Sequence, residues 1–325
     1  GTMESMWIYL LGAFISGFTM CILNCVVNPM LNLLGGGGNK GNQLIQIGGV
    51  FNSTAAVCVY ILMGALIGDA AKAHIADATP ALMIALAIFV IAFIVISFTK
   101  IDEPEQAPVD TSLIKGALSF RHFKLGILGI FLYMGIEVGV PTYILQFLTS
   151  EQGGSMAAST VGLIVAVYWL MMLVGRFIGG AIGGAVSSRT QITIVSTRTI
   201  VLVLFGMFAP ESMQVNVPAI DWATLTVTSE SVPVGIFAFL LVGLCTSVMW
   251  GGIFNMAVEG LGKYTAIASG IFMTMVFGCA VMVAIQGWVA DLTGSYMTSY
   301  WVVVFCAAYL LFYALIGSRV SKREE

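Results

Sequence analysis

The chain has 325 residues, 59% of them hydrophobic and 9% charged, with a formal net charge of −3. Soluble domains carry roughly 25% charged residues, so this composition excludes an ordinary soluble protein and implies an integral membrane protein with room for about nine crossings of ~20 residues. The acidic balance argues against a nucleic-acid partner.

Apolar runs place the spans at about 6–34, 43–68, 79–99, 123–148, 157–187, 190–209, 232–257, 265–290 and 296–318. In lipid every backbone group must be satisfied internally, so the expected fold is an all-α, polytopic membrane helix bundle. Strands of alternating polarity, as in a barrel, are not expected. Gly1–Ser5 has no Lys or Arg and so lacks the charged start of a secretory signal. The cysteines at 21, 25, 58, 245, 279 and 306 all lie in apolar runs without CxxC spacing. They read as small packing residues, and no metal site is expected.

In the first span, Asn24 and Asn28 share a helix face, and Pro29 follows at once. The run Gly35–Gly41, GGGGNKG, lacks the Gly-Lys-Ser/Thr ending of a phosphate loop and reads as a turn. The second span carries Asn52, Ser53 and Thr54. The link Lys100–Lys124 is polar and reads as a linker between two bundles, with Ile114–Phe120 as a short surface helix. In the fourth span Glu137 stands mid-membrane, where a carboxylate costs roughly 2.5–3.5 kcal/mol on insertion scales. Such a group is either a proton, ion or substrate site or a helix-to-helix hydrogen bond.

The fifth span carries Tyr168, Trp169 and Arg176. A buried Arg needs a partner, and Glu137 is the only carboxylate at similar depth, so the two are expected to couple. Arg198 in the sixth span is near enough to one end to snorkel. The acidic, Thr/Ser-rich segment Pro210–Pro233 reads as a solvated external loop. The seventh span has Trp250 and Asn255, and the eighth Gln286 and Trp288. Glu259 and Lys263 have the spacing of a helical ion pair, and both histidines, His74 and His122, fall in loops. No residue set looks catalytic, so an enzyme is not expected. Amides, hydroxyls and flat indoles gathered from several helices suit a polyhydroxylated solute, although each also reads as helix glue or packing.

Lys40, Lys100, Lys115, Arg121, Lys124, Arg189, Lys263, Arg319, Lys322 and Arg323 fall at one set of alternate loops or on the C-terminal tail; only Lys72 falls opposite. That split places the C-terminus in the cytoplasm.

Asn24–Gly35 (NCVVNPMLNLLG), Val50–Ser53 (VFNS), Glu137–Val138, Tyr168–Trp169, Val174–Gly179 (VGRFIG), Met249–Gly270 and Gln286–Asp291 (QGWVAD) together resemble one family. It is the fucose–galactose–glucose:proton symporter branch of the major facilitator superfamily. The resemblance covers essentially the whole chain and implies the major facilitator fold, with the nine spans matching helices four to twelve of twelve. It therefore implies a form lacking the first three helices. By this resemblance, residues 1–99 form a partial N-terminal bundle, 100–122 the cytoplasmic linker and 123–325 a six-helix C-terminal bundle. Fucose members have Glu where Asn24 stands and Gln where Gly49 stands, while Glu137 resembles the glucose/galactose type.

The expected function is import of a glucose/galactose-like monosaccharide with protons by alternating access. The alternatives are a carrier of another small polar solute, or a non-transporting membrane sensor or scaffold. Expected substrate contacts are Asn24, Asn52, Glu137, Trp250, Asn255 and Gln286, with Glu137 and Arg176 as the proton-coupling pair. No cofactor is implied; the coupling ion is H⁺, with Na⁺ the alternative. The resemblance implies a monomer in the lipid of a bacterial inner membrane.

Overall fold

A computed structural model describes residues 6–36, 38–67, 79–100, 112–182, 186–210, 212–221 and 226–320. Among them, nine helical segments are long and apolar enough to cross a membrane. The first three are α1 (Met6–Leu34), α2 (Gly38–Ile67) and α3 (Thr79–Phe98). A short helix, α4 (Ser112–Ala117), precedes α5 (Arg121–Thr149), α6 (Ala158–Ile182) and α7 (Ser188–Phe208). The next span is α8 (Val234–Thr246) with α9 (Met249–Val258), and then come α10 (Thr265–Thr274) and α11 (Gly278–Thr293). The last is α12 (Tyr296–Ser299) with α13 (Trp301–Phe312), closed by a wide π turn over Tyr313–Gly317.

Helix α5 is the centre of the molecule. It packs against α6, α8, α9, α11 and α13, and Phe123, Ile130, Tyr133, Ile136, Val140 and Ile144 on it are fully enclosed. At the other extreme α3 buries no residue and rests chiefly on α2. Helix α2 lies along α6, the most extensive helix pairing in the molecule, and α1 rests on α2 and α10. Glycines set the closest approaches. A Cβ at Gly243 would run into the Tyr168 carbonyl, and one at Gly278 into the Phe131 carbonyl. Small residues let membrane helices bring their backbones together in this way. Tyr300 stacks flat on Phe239 with ring centroids 4.0 Å apart, tying the last span to α8.

Several expectations are corrected. Pro210–Pro233 is not simply a solvated loop: β1 (Gln214–Asp221) and β2 (Thr226–Pro233) pair antiparallel, Val215 opposite Val232 and Val217 opposite Glu230. Val232 is buried and Val217 packs on the core, which anchors the hairpin to the bundle. His122 is not in a loop. It lies in the first turn of α5, fully buried, with Nε2 2.9 Å from the Glu259 carbonyl. Glu259 and Lys263 are not on one helix, because α9 stops at Val258 and Gly260 and Gly262 both take positive φ (71° and 51°). Lys263 instead lies over the Tyr264 ring, 5.4 Å from its centroid.

The link does hold a short helix, but as α4 over Ser112–Ala117 rather than Ile114–Phe120, with Gly116 against the Tyr264 ring. Residues 101–111 of the linker, Gly37 of the glycine turn, Asp69, Lys72, His74, Asp77, Lys322 and Arg323 lie outside the described residues.

Candidate functional site

Glu137 stands mid-way along α5 on its buried side and is 8% exposed. Pro141, four residues further on, has no N–H, so the main-chain carbonyl of Glu137 lacks its usual helical donor. The Tyr168 hydroxyl of α6 supplies the replacement, donating to that carbonyl at 3.2 Å. The same hydroxyl lies 3.2 Å from Thr246 Oγ1 at the end of α8. The proline in α5 and the tyrosine in α6 are thus one device that fixes the height and rotation of Glu137.

The carboxylate itself faces Arg176 of α6. Arg176 Nη2 lies 3.6 Å from Glu137 Oε1, and Arg176 is 7% exposed. Its other terminal nitrogen, Nη1, donates to the main-chain carbonyl of Gly49 in α2. The guanidinium fork therefore bridges two helices with two kinds of acceptor, a geometry that Lys does not offer.

Both charged groups open onto a cavity of about 460 Å³. Asn24 and Asn28 of α1 wall one side, with Asn28 Nδ2 3.2 Å from Asn24 Oδ1. Gln46 and Asn52 come from α2, Trp169 from α6 and Trp250 from α9. Each indole is held by a ring behind it: Trp169 by Tyr60 at 6.2 Å, Trp250 by Phe254 at 5.6 Å. The span running from α8 into α9 breaks at Ser247–Val248, beside the cavity. Tyr133 donates to the Thr246 carbonyl at 3.3 Å and Gln46 to the Val248 carbonyl at 3.4 Å. Irregular backbone at membrane depth is tolerated where it lines a cavity and finds such partners.

Of the expected contacts, Asn24, Asn52, Glu137, Arg176 and Trp250 converge on this cavity. Asn255 and Gln286 are not on its wall. Asn255 donates to Ser188 Oγ at 3.0 Å, joining α9 to α7, and Gln286 is 1% exposed with Nε2 3.4 Å from Ser299 Oγ. Each thus makes a link between helices. Trp288 is 63% exposed on the outer surface and Arg198 is also exposed, so neither belongs to the interior. Two wall groups were not anticipated: Gln46, and Ser247 at the helix break. Gln46 had a readable signal, since it lies on the same face of α2 as Gly49 and near Asn52.

The wall therefore offers neutral amides, two indoles and one ion pair. Amides donate and accept to hydroxyls and indoles cover apolar ring faces, which equips the cavity for reversible binding of a small polar molecule.

No known family model matches the chain. A glucose/galactose transporter of Brucella abortus biovar 1 (strain 9-941) is 30% identical over 317 residues, covering 95% of this chain and 71% of that protein. The chain belongs to the fucose–galactose–glucose:proton symporter family of the major facilitator superfamily. Within that family, a putative glucose/galactose transporter of Helicobacter pylori (strain J99 / ATCC 700824) is 28% identical over 334 residues, covering 98% of this chain and 75% of that one. The crystal structure of the fucose:proton symporter FucP in the outward conformation superposes with a TM-score of 0.70 at 19% identity, over 92% of this chain and 73% of that one. That likeness establishes the major facilitator fold.

Proposed function

We propose that this chain carries a glucose- or galactose-like monosaccharide across a bacterial inner membrane together with protons, by alternating access. The observation that carries this reading is the buried Glu137–Arg176 pair on the wall of a cavity of amides and indoles. A carboxylate so placed exchanges its counter-charge for a proton without leaving the membrane. The names of the relatives support the substrate class, with the glucose/galactose transporters nearer in sequence than the L-fucose-proton symporter of Escherichia coli, at 19%. Proton rather than Na⁺ coupling is the reading taken because Glu137 is the one carboxylate on the described wall and one relative is named an L-fucose-proton symporter.

In this reading residues 1–99 and 123–325 are the parts that rock about the cavity, joined by the 100–122 linker. The protein acts as a monomer with its C-terminus in the cytoplasm, as the basic-residue split favours. Asn24, Asn52 and Trp250 contact the sugar, Glu137 and Arg176 handle the proton, and the protein works as a carrier rather than an enzyme.

Uptake of labelled glucose and galactose into proteoliposomes tests this. An inward proton gradient drives accumulation, a Na⁺ gradient alone does not, and unrelated polar solutes do not compete. Glu137→Gln abolishes uphill accumulation while sugar counterflow persists. Undiminished accumulation in that variant removes Glu137 from the coupling step. Displacement of the sugar by unrelated solutes favours a carrier of another small polar molecule.

A further inference from the structure

Among the described residues, α2 is tied across its seam with the neighbouring helices by Gln43 donating to the Gly180 carbonyl at 2.7 Å, Gln46 donating to the Val248 carbonyl at 3.4 Å, and Arg176 donating to the Gly49 carbonyl. Residues 43, 46 and 49 recur at helical spacing and form one stripe along α2. The first two ties are neutral. The third depends on a cation whose counter-charge sits on a different helix, α5.

Position 49 is shaped for this. A Cβ there would lie 2.8 Å from Arg176 Nη1, 3.0 Å from its Cδ and 3.1 Å from its Cζ. The guanidinium lies against the α2 backbone at a position where no side chain holds it off.

We infer that Arg176, seated on Gly49, is a positioning residue that converts the charge on Glu137 into closeness of α2 and α6. While Glu137 is ionised, the fork is satisfied on both sides and the seam is held. When Glu137 takes a proton, the guanidinium is left buried without a counter-charge, an arrangement that is strongly unfavourable. Among the described residues no neighbour replaces that charge. Tyr133 on its own helix, Tyr168 on α6 and Cys279 at the start of α11 are the titratable groups that face Glu137 besides Arg176. Helices α1 and α2 present the amides of Asn24, Asn28, Gln46 and Asn52 to the cavity, and α9 presents the indole of Trp250. The guanidinium turns towards the cavity and water, leaves the Gly49 carbonyl, and the seam loosens at that level. This assigns the middle of the α2–α6 seam as the place where protonation becomes movement, and it rests on the proton-coupled reading above.

The test is amide hydrogen exchange of the whole chain in nanodiscs at one fixed pH, comparing wild type with Glu137→Gln, Arg176→Gln, Gly49→Ala and the Glu137→Gln/Arg176→Gln double variant. Each single variant is expected to speed exchange in residues 43–52 by about tenfold, the effect of losing one charge-assisted hydrogen bond. The double variant should be no faster than the singles, and α7 and α13 should be unchanged. Wild-type protection of residues 43–52 in Glu137→Gln overturns the inference. So does acceleration that spreads equally to α7 and α13, because the pair would then merely hold the fold. Arg176→Lys keeps the charge without the fork and is expected to match Arg176→Gln; wild-type protection there overturns the seated-fork geometry. These measurements need no sugar, so failure of sugar uptake and failure of the strap are read separately.

Discussion

Asn52 and Gln286 are both amides within apolar spans, yet the structure separates their roles. Asn52 stands on the cavity wall with its amide free for a solute, whereas Gln286 is enclosed beside Ser299. Asn52→Ala is expected to raise the apparent sugar constant several-fold, as loss of a hydrogen bond worth about 1–3 kcal/mol requires. Gln286→Ala and Asn255→Ala should leave that constant within about twofold while lowering the melting temperature, since they break links between helices. Concentration-dependent uptake and thermal unfolding of the same variants check both halves. At this scale the Glu137–Arg176 pairing was legible because depth along the spans left Arg176 only one carboxylate. The Gly49 carbonyl was not legible, because a backbone acceptor has no signature in side-chain identities. Asn255 and Gln286 lie off the cavity wall, a placement the sequence did not show, because an amide joining helices and an amide facing a cavity look alike there.

At the scale of elements, helix α5 owes its functional geometry to Pro141. The proline frees the Glu137 carbonyl and Tyr168 takes it up. Tyr168→Phe should cost about 1–3 kcal/mol, the cost of a buried acceptor left without a donor. On a Pro141→Ala background, where residue 141 again supplies an N–H within α5, the same change should cost clearly less. Equal losses in a thermal-unfolding cycle of the four proteins would show that the hydroxyl acts through Thr246 alone. The spans themselves were readable from apolar length. The break at Ser247–Val248 was not, because no proline stands there and Thr246 and Ser247 are short hydroxyl residues that helices in lipid also accommodate; Tyr133 and Gln46, distant in sequence, make the break tolerable. The β1–β2 hairpin was passed over because its polar residues outweighed Val217 and Val232, the two valines that anchor it.

For the whole molecule, the major facilitator fold followed from motifs spread along the chain, and the superposition at a TM-score of 0.70 agrees with it. Sidedness remains a matter of charge. If the basic loops face the cytoplasm, the hairpin faces outward, and a cysteine introduced at the exposed Ser229 is labelled by an impermeant maleimide from outside in intact cells. Labelling of Ser229→Cys only after the membrane is opened would reverse the orientation.

Trp169 and Trp250 stand on the cavity wall, on α6 and α9, each backed by another aromatic ring. They give the protein an intrinsic optical probe. A solute that displaces water from beside either indole shifts its emission towards shorter wavelength, so occupancy is measurable on unlabelled protein without any gradient. Replacing either indole with Phe assigns the signal to one wall.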